Sequence, residues 1–501
     1  MGRYIGMDLG TSSLKCVLYD EGGAELAQAT GEYPVHQPHN GWSEQEPDDW
    51  YAAATRCVRQ VVAASGTRAA DVAGIGVSGQ MMGLVCLGAD GRPLRRAILW
   101  NDARTTAACE RVREAVGDGL FRLRSCTPAR PGLTAAKIRW VMDEQPGVWE
   151  ATRHVLLPKD YLRYRLTGEL ATDVSDASAT QLLDVAGRRW AWDVVDAMGM
   201  DRSLLPRVLE SQEVAGGLAA AVAADLGLEP GCPVVAGASD NASAGVGTGV
   251  VVPGSAMTTI GTSGTVFAFS ERPAADPRDT VYTCCMPVPG AWHHMGSANS
   301  AGASLRWWRD NYYPDDREYE AINADAGTSP AGSRRLLYLP YLNGEQSPHF
   351  NLDCRGAFVG LAQLHTRADM TRAVMEGATF ALRDILAGIR GCGVEPREMR
   401  MCGGGSKSEL WRQMMADVFG IPVVVPEGSS ENACALGAAI LAMVGTGAYA
   451  SVPEACGRIV KMAPGAYEPD PDNMSMYDKV YEQFDALYPR LVDSFRDILA
   501  L

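Results

Sequence analysis

The sequence predicts an α/β protein built from two like-folded halves. Three observations carry that reading. A strand, a Gly-Thr-Ser turn and a second strand open the chain, and the unit returns 251 residues later, Gly10-Thr11-Ser12 matched by Gly261-Thr262-Ser263. The stretch Pro233 to Gly247 runs from an apolar strand through a small-residue loop into a helix, the order in which parallel sheets present ligand-binding loops. Finally, 501 residues that are 47% hydrophobic and 21% charged can bury two large cores, against a prior of roughly three domains of ~150 residues.

Bulk charge narrows the partners. A formal net charge of −15 argues against nucleic acid or an anionic membrane surface. It leaves an anionic cofactor open, because backbone amides bind phosphate whatever the overall sign. The thirteen cysteines are odd in number and scattered without a C-x-x-C pair, and adjacent Cys284 and Cys285 are poorly placed to bridge each other. Reduced thiols in a cytoplasmic protein are predicted. The N-terminal stretch enters a strand at once with no charged-then-apolar leader, and no apolar run approaches the ~20 residues that span a bilayer.

In chain order, Tyr4 to Asp8 forms the first strand and Leu14 to Tyr19 the second, with amides of the turn between them free to face an anion. Asp8 ends the first strand; a carboxylate beside phosphates usually means magnesium between them. The plain alternative is a hairpin with a hydroxyl-rich turn. Met257 to Ile260 and Thr265 to Phe269 flank the second turn, where Thr259 replaces Asp8. Two such hairpins with one metal-side acid would clamp a nucleotide between two lobes. A third unit runs from Met399 to Cys402 through Gly403 to Ser406, then into a helix through Trp411 and Met415 and a strand, Ile421 to Val425. Its glycines let a flat ring approach the backbone and point a helix N-terminus at negative charge, though a ligand-free βα turn reads equally well. This unit is not G-x-G-x-x-G, so dinucleotide binding is not indicated, and the chain has no Gly-Lys pair, which excludes a Walker loop.

In the loop 237–247, read GASDNASAGVG, the only strongly polar side chains are Asp240 and Asn241. Asp240 is either an acid facing a cleft or the N-cap of the next helix. His293-His294 lacks acidic or thiol neighbours at ligand spacing, and an edge or loop position accounts for it. Asp173 and Asp176 read as loop or cap residues bracing a wall. Tyr477, Val480, Tyr481, Phe484, Leu487, Tyr488 and Leu491 follow helical spacing and predict one C-terminal docking helix.

Several stretches carry a family resemblance: Gly132 to Glu144 (GLTAAKIRWVMDE), Gly356 to Phe380 (GAFVGLAQLHTRADMTRAVMEGATF), Trp42 to Gln45 (WSEQ), Ala97 to Asp102 (AILWND), Leu157 to Arg163 (LPKDYLR), Ser239 to Asn241 (SDN) and Leu339 to Pro348 (LPYLNGEQSP). Over nearly its whole length the chain resembles the FGGY family of carbohydrate kinases, and within it the members that phosphorylate xylulose. The resemblance implies two ribonuclease-H-like domains of the actin, sugar-kinase and heat-shock-chaperone superfamily, flanking a deep cleft for ATP and sugar. The domains would be 1–247 and 248–501, hinged near Gly247 to Gly254. It implies D-xylulose as substrate, D-xylulose 5-phosphate as product, ATP and Mg2+ as cofactors, and a homodimer as the candidate assembly.

By position, the resemblance assigns Asp240 as general base, in a role for which an ordinary carboxylate pKa suffices, with Asn241 holding the sugar. Asp8 would position the magnesium ion. Gly10, Thr11, Ser12 and Lys15 correspond to the first phosphate loop, and Gly261, Thr262 and Ser263 to the second. Gly404, Gly405 and Ser406 fall at the adenosine. Gln80, Met81 and Met82 fall where the first lobe touches the sugar, with Trp100, Asn101 and Asp102 close behind. One departure stands out: xylulose-phosphorylating members read Gln-Met-His where this chain has Gln80-Met81-Met82. Either another group or water replaces the imidazole, or the preferred sugar differs: a deoxyxylulose, ribulose, glycerol or gluconate. The rival from another class is a non-catalytic, actin-like nucleotide switch.

Overall fold

The computed structural model describes residues 2–313, 318–428 and 430–501. Each half is organised on one mixed sheet. In the first, the strands lie in the order Val214–Gly217, Pro233–Val235, Val72–Gly79, Arg3–Leu9, Ser13–Asp20, Glu25–Glu32, with Ala238–Ser239 also paired to Val72–Gly79. In the second the order is Tyr282–Cys285, Trp292–Ala298, Gly264–Ser270, Ser255–Ile260, Glu398–Cys402, Val423–Val424. Both sheets contain an antiparallel hairpin at the predicted Gly-Thr-Ser turn and then a parallel neighbour: Arg3–Leu9 beside Val72–Gly79, Ser255–Ile260 beside Glu398–Cys402. The expected duplication is borne out over the hairpin, its antiparallel outer neighbour and the two parallel strands beside it, while Val214–Gly217, Ala238–Ser239 and Tyr282–Cys285 have no counterpart. Gly264–Ser270 is buried at every residue, as its continuous apolar run requires of a strand covered on both faces.

Where the halves join, two helices cross, Asp240–Gly247 and Ala433–Gly445. The second lies directly on the first sheet. A Cβ on Gly6 would stand 1.9 Å from the Ala435 carbonyl oxygen, and one on Gly437 equally close to that of Ser243, so neither position admits a side chain. Tyr4, Val17 and Tyr19 of the first sheet, Phe267 and Phe269 of the second, and both helices share one buried cluster.

Two expectations are corrected. The C-terminal segment is two helices, Pro471–Asp485 and Leu487–Leu499. Pro489 lacks the N–H that would bond to the Asp485 carbonyl, and its ring clashes there, so the helix stops at Asp485 although the apolar phase continues. Tyr477 and Phe484 of the first helix do dock, against Phe380. His293 and His294 lie in an interior strand rather than at an edge or in a loop, since Trp292–Ala298 is paired on both sides. Burial holds both imidazoles well below their usual pKa; His293 stacks on Phe267, and His294 meets Thr283 Oγ1 at 2.8 Å. Among the described residues no helix is long and apolar enough to cross a membrane.

Candidate active site

Three parallel strand ends converge on one point. Leu9 pairs with Gly79, and Gly79 with Ser239, so Asp8 and the residue after Ser239 leave the same edge of the sheet. Gly237 makes that approach possible: its φ is 80°, and a Cβ there would lie 1.9 Å from the Val77 carbonyl oxygen. The chain then enters a helix at Asp240. Asp240 is the first helical residue; Ser239 holds the cap position and makes no side-chain cap bond. Asp240 Oδ1 accepts from Asn241 N at 2.7 Å and from Asn241 Nδ2 at 3.0 Å.

Asp240 does not have an ordinary acidity. Burial, reinforced by the charge of Asp8, lifts its pKa to about 7. Asp8 is itself pushed up to about 6 by burial, which the Lys15 ammonium only partly offsets. Asp8 Oδ1 is buried and has no partner among the described residues. Two mutually repelling carboxylates, one with a vacant oxygen, suit a cation. No group of three or more acidic, His or Cys side chains among the described residues could enclose one. The donor set therefore fits magnesium, which typically takes one or two carboxylates and completes its shell with phosphate oxygens and water.

The loop carrying Asp240 is held from behind by a buried ionic lattice. Lys159 Nζ and Arg163 Nη1 each donate to the Ala236 carbonyl at 3.3 Å. Lys159 also pairs with Asp160 at 2.6 Å and Asp173 at 2.9 Å, all three side chains wholly inaccessible. Asp173 Oδ2 accepts from Ser175 Oγ at 2.5 Å, and Ser175 Oγ in turn accepts from Ser239 N at 3.1 Å. Gly237 N donates to the Ser211 carbonyl, and Ser211 Oγ to Asp173. Burial favours a neutral Lys159, but Asp160, Asp173 and Asp176 outweigh it and hold its pKa above the usual value. Asp176, buried beside them with Oδ2 3.8 Å from Lys159 Nζ, has its pKa raised, chiefly by burial. Asp173 caps the short helix Val174–Ser178, as its sequence context suggests.

The first turn meets the wall of the cleft. Thr11 Oγ1 accepts from Trp100 Nε1 at 2.9 Å, and Thr11 O from Gln45 Nε2 at 2.6 Å. Ser12 and Asn101 are exposed. Lys15 Nζ reaches across to the Glu431 carbonyl of the second half at 2.7 Å. Asn241 Nδ2 lies 3.7 Å from Met81 Sδ, bringing two predicted sugar-side residues together. Met82 has φ 66°, a left-handed conformation that is costly for a non-glycine residue and typical of binding sites. Asp102 is turned away: its carboxylate accepts from Ser43 N at 2.6 Å and from Arg104 Nη2 at 2.6 Å.

On the opposite side, Gly261, Thr262 and Ser263 are all exposed, and Thr262 Oγ1 accepts from Arg306 Nη2 at 3.1 Å. The glycine turn is adjacent, since Thr259 pairs with Cys402 and Gly403 packs on Ile260. Gly404–Lys407 forms a short 3-10 turn in which Ser406 Oγ donates to the Gly403 carbonyl. The following helix starts only at Glu409, and Ser408 caps it by accepting from Trp411 N. That N-terminus is thus satisfied internally, and the flat glycine surface is what remains for a ring. Cys434 joins the two sides: its Sγ donates to the Asp240 carbonyl, and its thiol, raised by burial, lies within the electrostatic reach of Asp8, Asp240, Lys15 and Cys402.

Sequence reasoning did not assign Gln45, Lys159, Arg306 or Cys434. Gln45 lies in the WSEQ stretch and Lys159 in LPKDYLR, so the signal was present without a role. Arg306 sits on an unremarkable amphipathic helix, Ala301–Tyr312.

Comparison with known proteins identifies the family. The family model "FGGY family of carbohydrate kinases, N-terminal domain" matches residues 3–247, and its C-terminal-domain counterpart matches residues 256–446. A xylulose kinase of Bacillus subtilis is 35% identical over 98% of both chains. One of Escherichia coli is 37% identical over 98% of this chain and 99% of its own. The crystal structure of a ligand-bound xylulose kinase from Lactobacillus acidophilus superposes with a TM-score of 0.93 at 26% identity, covering 99% of this chain and 100% of that one.

Proposed function

The chain belongs to the FGGY family of carbohydrate kinases, and from that premise we propose that it transfers the γ-phosphoryl group of ATP to D-xylulose, giving D-xylulose 5-phosphate and ADP. The observation that supports this most is Asp240, set at the first turn of its helix with a pKa lifted to about 7 beside Asp8. A base is most effective when its pKa lies near the working pH. Asp240 takes the proton of the sugar hydroxyl as that oxygen bonds to phosphorus and the bond to the bridging oxygen of ADP breaks. The transition state is loose, so alignment and charge neutralisation matter more than nucleophile strength.

Asn241, Met81, Met82 and Gln80 would contact the sugar. Lys15, Arg306 and the amides of the turns at Gly10 to Ser12 and Gly261 to Ser263 would take the phosphates, and Gly404 to Ser406 the adenosine. Asp8 would hold magnesium, which when bound neutralises charge on the β- and γ-phosphates. Residues 1–247 and 248–501 form the two lobes in this reading. The thirteen free cysteines suit a cytoplasmic setting.

Enzyme-coupled detection of ADP across D-xylulose, 1-deoxy-D-xylulose, D-ribulose, glycerol and gluconate tests the reading. D-xylulose is expected to give the highest kcat/KM; ADP release that no sugar stimulates refutes it. Met82 favours a second reading. A thioether is a weak acceptor, and a buried sugar hydroxyl left without a partner there costs ~1–3 kcal/mol. That is enough to rank a sugar lacking the hydroxyl above D-xylulose, and the same assay decides between them.

A further inference from the structure

Three buried side chains and the half-buried Thr11 carbonyl form a polar chain between the sugar side of the cleft and the first phosphate turn. The indole N–H of Trp50 can only donate, so the Gln45 atom 3.1 Å from Trp50 Nε1 is the amide oxygen. Gln45 Nε2 then points the other way and donates to the Thr11 carbonyl at 2.6 Å. The Gln80 atom facing Gln45 Oε1 at 2.9 Å must be its nitrogen. One indole therefore sets the orientation of both amides, which coordinates alone do not distinguish. What remains is Gln80 Oε1: buried, an acceptor, and without a partner among the described residues.

Gln80 follows Gly79, the residue paired with both Leu9 and Ser239, so it emerges beside Asp240. Thr11 lies in the turn that Trp100 also grips. Trp50, Gln45 and Gln80 are each at most 2% exposed, so the chain is shielded from competing water.

We infer that Gln45 is a positioning residue that couples the two substrates: a sugar hydroxyl donating to Gln80 Oε1 completes the chain and orders the first phosphate turn through Thr11. The inference rests on the sugar-kinase reading above, in which Gln80 lines the sugar site. Donation into Gln80 Oε1 polarises its N–H toward Gln45, and Gln45 in turn toward Thr11, each bond strengthening the next. Coupling of this kind is reciprocal, so bound nucleotide tightens sugar by the same factor.

The test is the dissociation constant of a non-hydrolysable ATP analogue with Mg2+, measured by calorimetry without and with saturating D-xylulose. The wild-type chain is expected to bind the analogue at least about fivefold more tightly with sugar present. Gln45→Glu still accepts from Trp50 and Gln80 but cannot donate to Thr11, and Gln45→Met does neither while keeping the volume. In both, each ligand alone is expected to bind within about threefold of wild type while the coupling factor falls below about two. Requiring that each ligand bind alone guards against a misfolded variant. Absent coupling in the wild type, or full coupling in both variants, overturns the inference. A wild-type chain that binds neither ligand refutes the kinase reading and takes this inference with it.

Discussion

Asp173 and Asp176 lie three residues apart in one buried cluster, yet replacing each by Asn is expected to have unequal consequences. Asp173 accepts from Ser175 N at 2.8 Å, Ser175 Oγ at 2.5 Å and Ser211 Oγ at 2.7 Å, and pairs with Lys159 at 2.9 Å. Removing one partner of such a buried pair costs ~3–5 kcal/mol. Lys159 and Arg163 would then share the carboxylate of Asp160, at 2.6 and 3.0 Å, with only the longer 3.8 Å contact from Lys159 to Asp176 beside it. Asp176 limits the loss: burial comes first among the causes that raise its pKa, but Asp160 and Asp173 add to it, so without Asp173 it ionises more readily. The cost of Asp173→Asn therefore falls near the lower end, ~3 kcal/mol, or roughly 6–12 °C in Tm for a lobe of this size.

Neither oxygen of Asp176 is hydrogen-bonded among the described residues and Oδ2 stands 3.8 Å from Lys159 Nζ, so Asp176→Asn should change stability by less than Asp173→Asn does, about 1 kcal/mol. The sign with pH follows from its raised pKa. The stabilisation from Asp176 is complete below the unfolded value of 3.8 and declines as pH rises toward the higher folded value. Asp176→Asn should flatten that decline. Calorimetric unfolding of both variants at pH 5 and pH 7 is the assay. Equal losses, or the larger one from Asp176→Asn, would refute the assignment of Asp173 as the acceptor that holds the lattice together.

Two further outcomes concern the chemistry. Asp240→Asn should lower kcat by roughly 10²–10⁴-fold with a smaller change in sugar affinity, and near-normal turnover would reduce Asp240 to a helix-start residue. In the wild type, kcat/KM should fall as pH drops below about 7, because the base must be ionised. Burial is the larger cause of that pKa and the charge of Asp8 the second, so Asp8→Asn should move the acid limb to lower pH; a pH–rate profile with an unmoved limb contradicts the pairing of the two acids.

Much of this was legible in the sequence where local chemistry marks a position. Gly-Thr-Ser turns 251 residues apart announced the twin sheets, and Asp8 and Asp240 stood out as lone acids in otherwise apolar or small-residue stretches. Pairing register was not legible: nothing local says that Leu9, Gly79 and Ser239 end side by side. For the same reason Gln45 and Lys159 passed without a role, since their partners, Gln80 and Thr11, Asp173 and Ala236, are distant in the chain. Alternation could not tell an interior strand from an edge at His293, and an unbroken apolar phase concealed the stop at Pro489.

The two acids also argue for a cation in the proposed reaction. Asp8 and Asp240 are both lifted by burial, and the charge of Asp8 raises Asp240 further, so the protein's own groups oppose full ionisation of the pair. A nucleotide tail adds more negative charge to a chain whose net charge is already −15. Lys15 alone cannot balance that, and its ammonium is engaged by the Glu431 carbonyl. A divalent ion against the unpartnered Asp8 Oδ1 would lower the cost of ionising both acids and attract the phosphates at once. In that arrangement the burial and the Asp8 charge that raise the pKa of Asp240 would be offset once nucleotide and ion are bound together, so the base would gain its charge in the complex where a proton has to be taken.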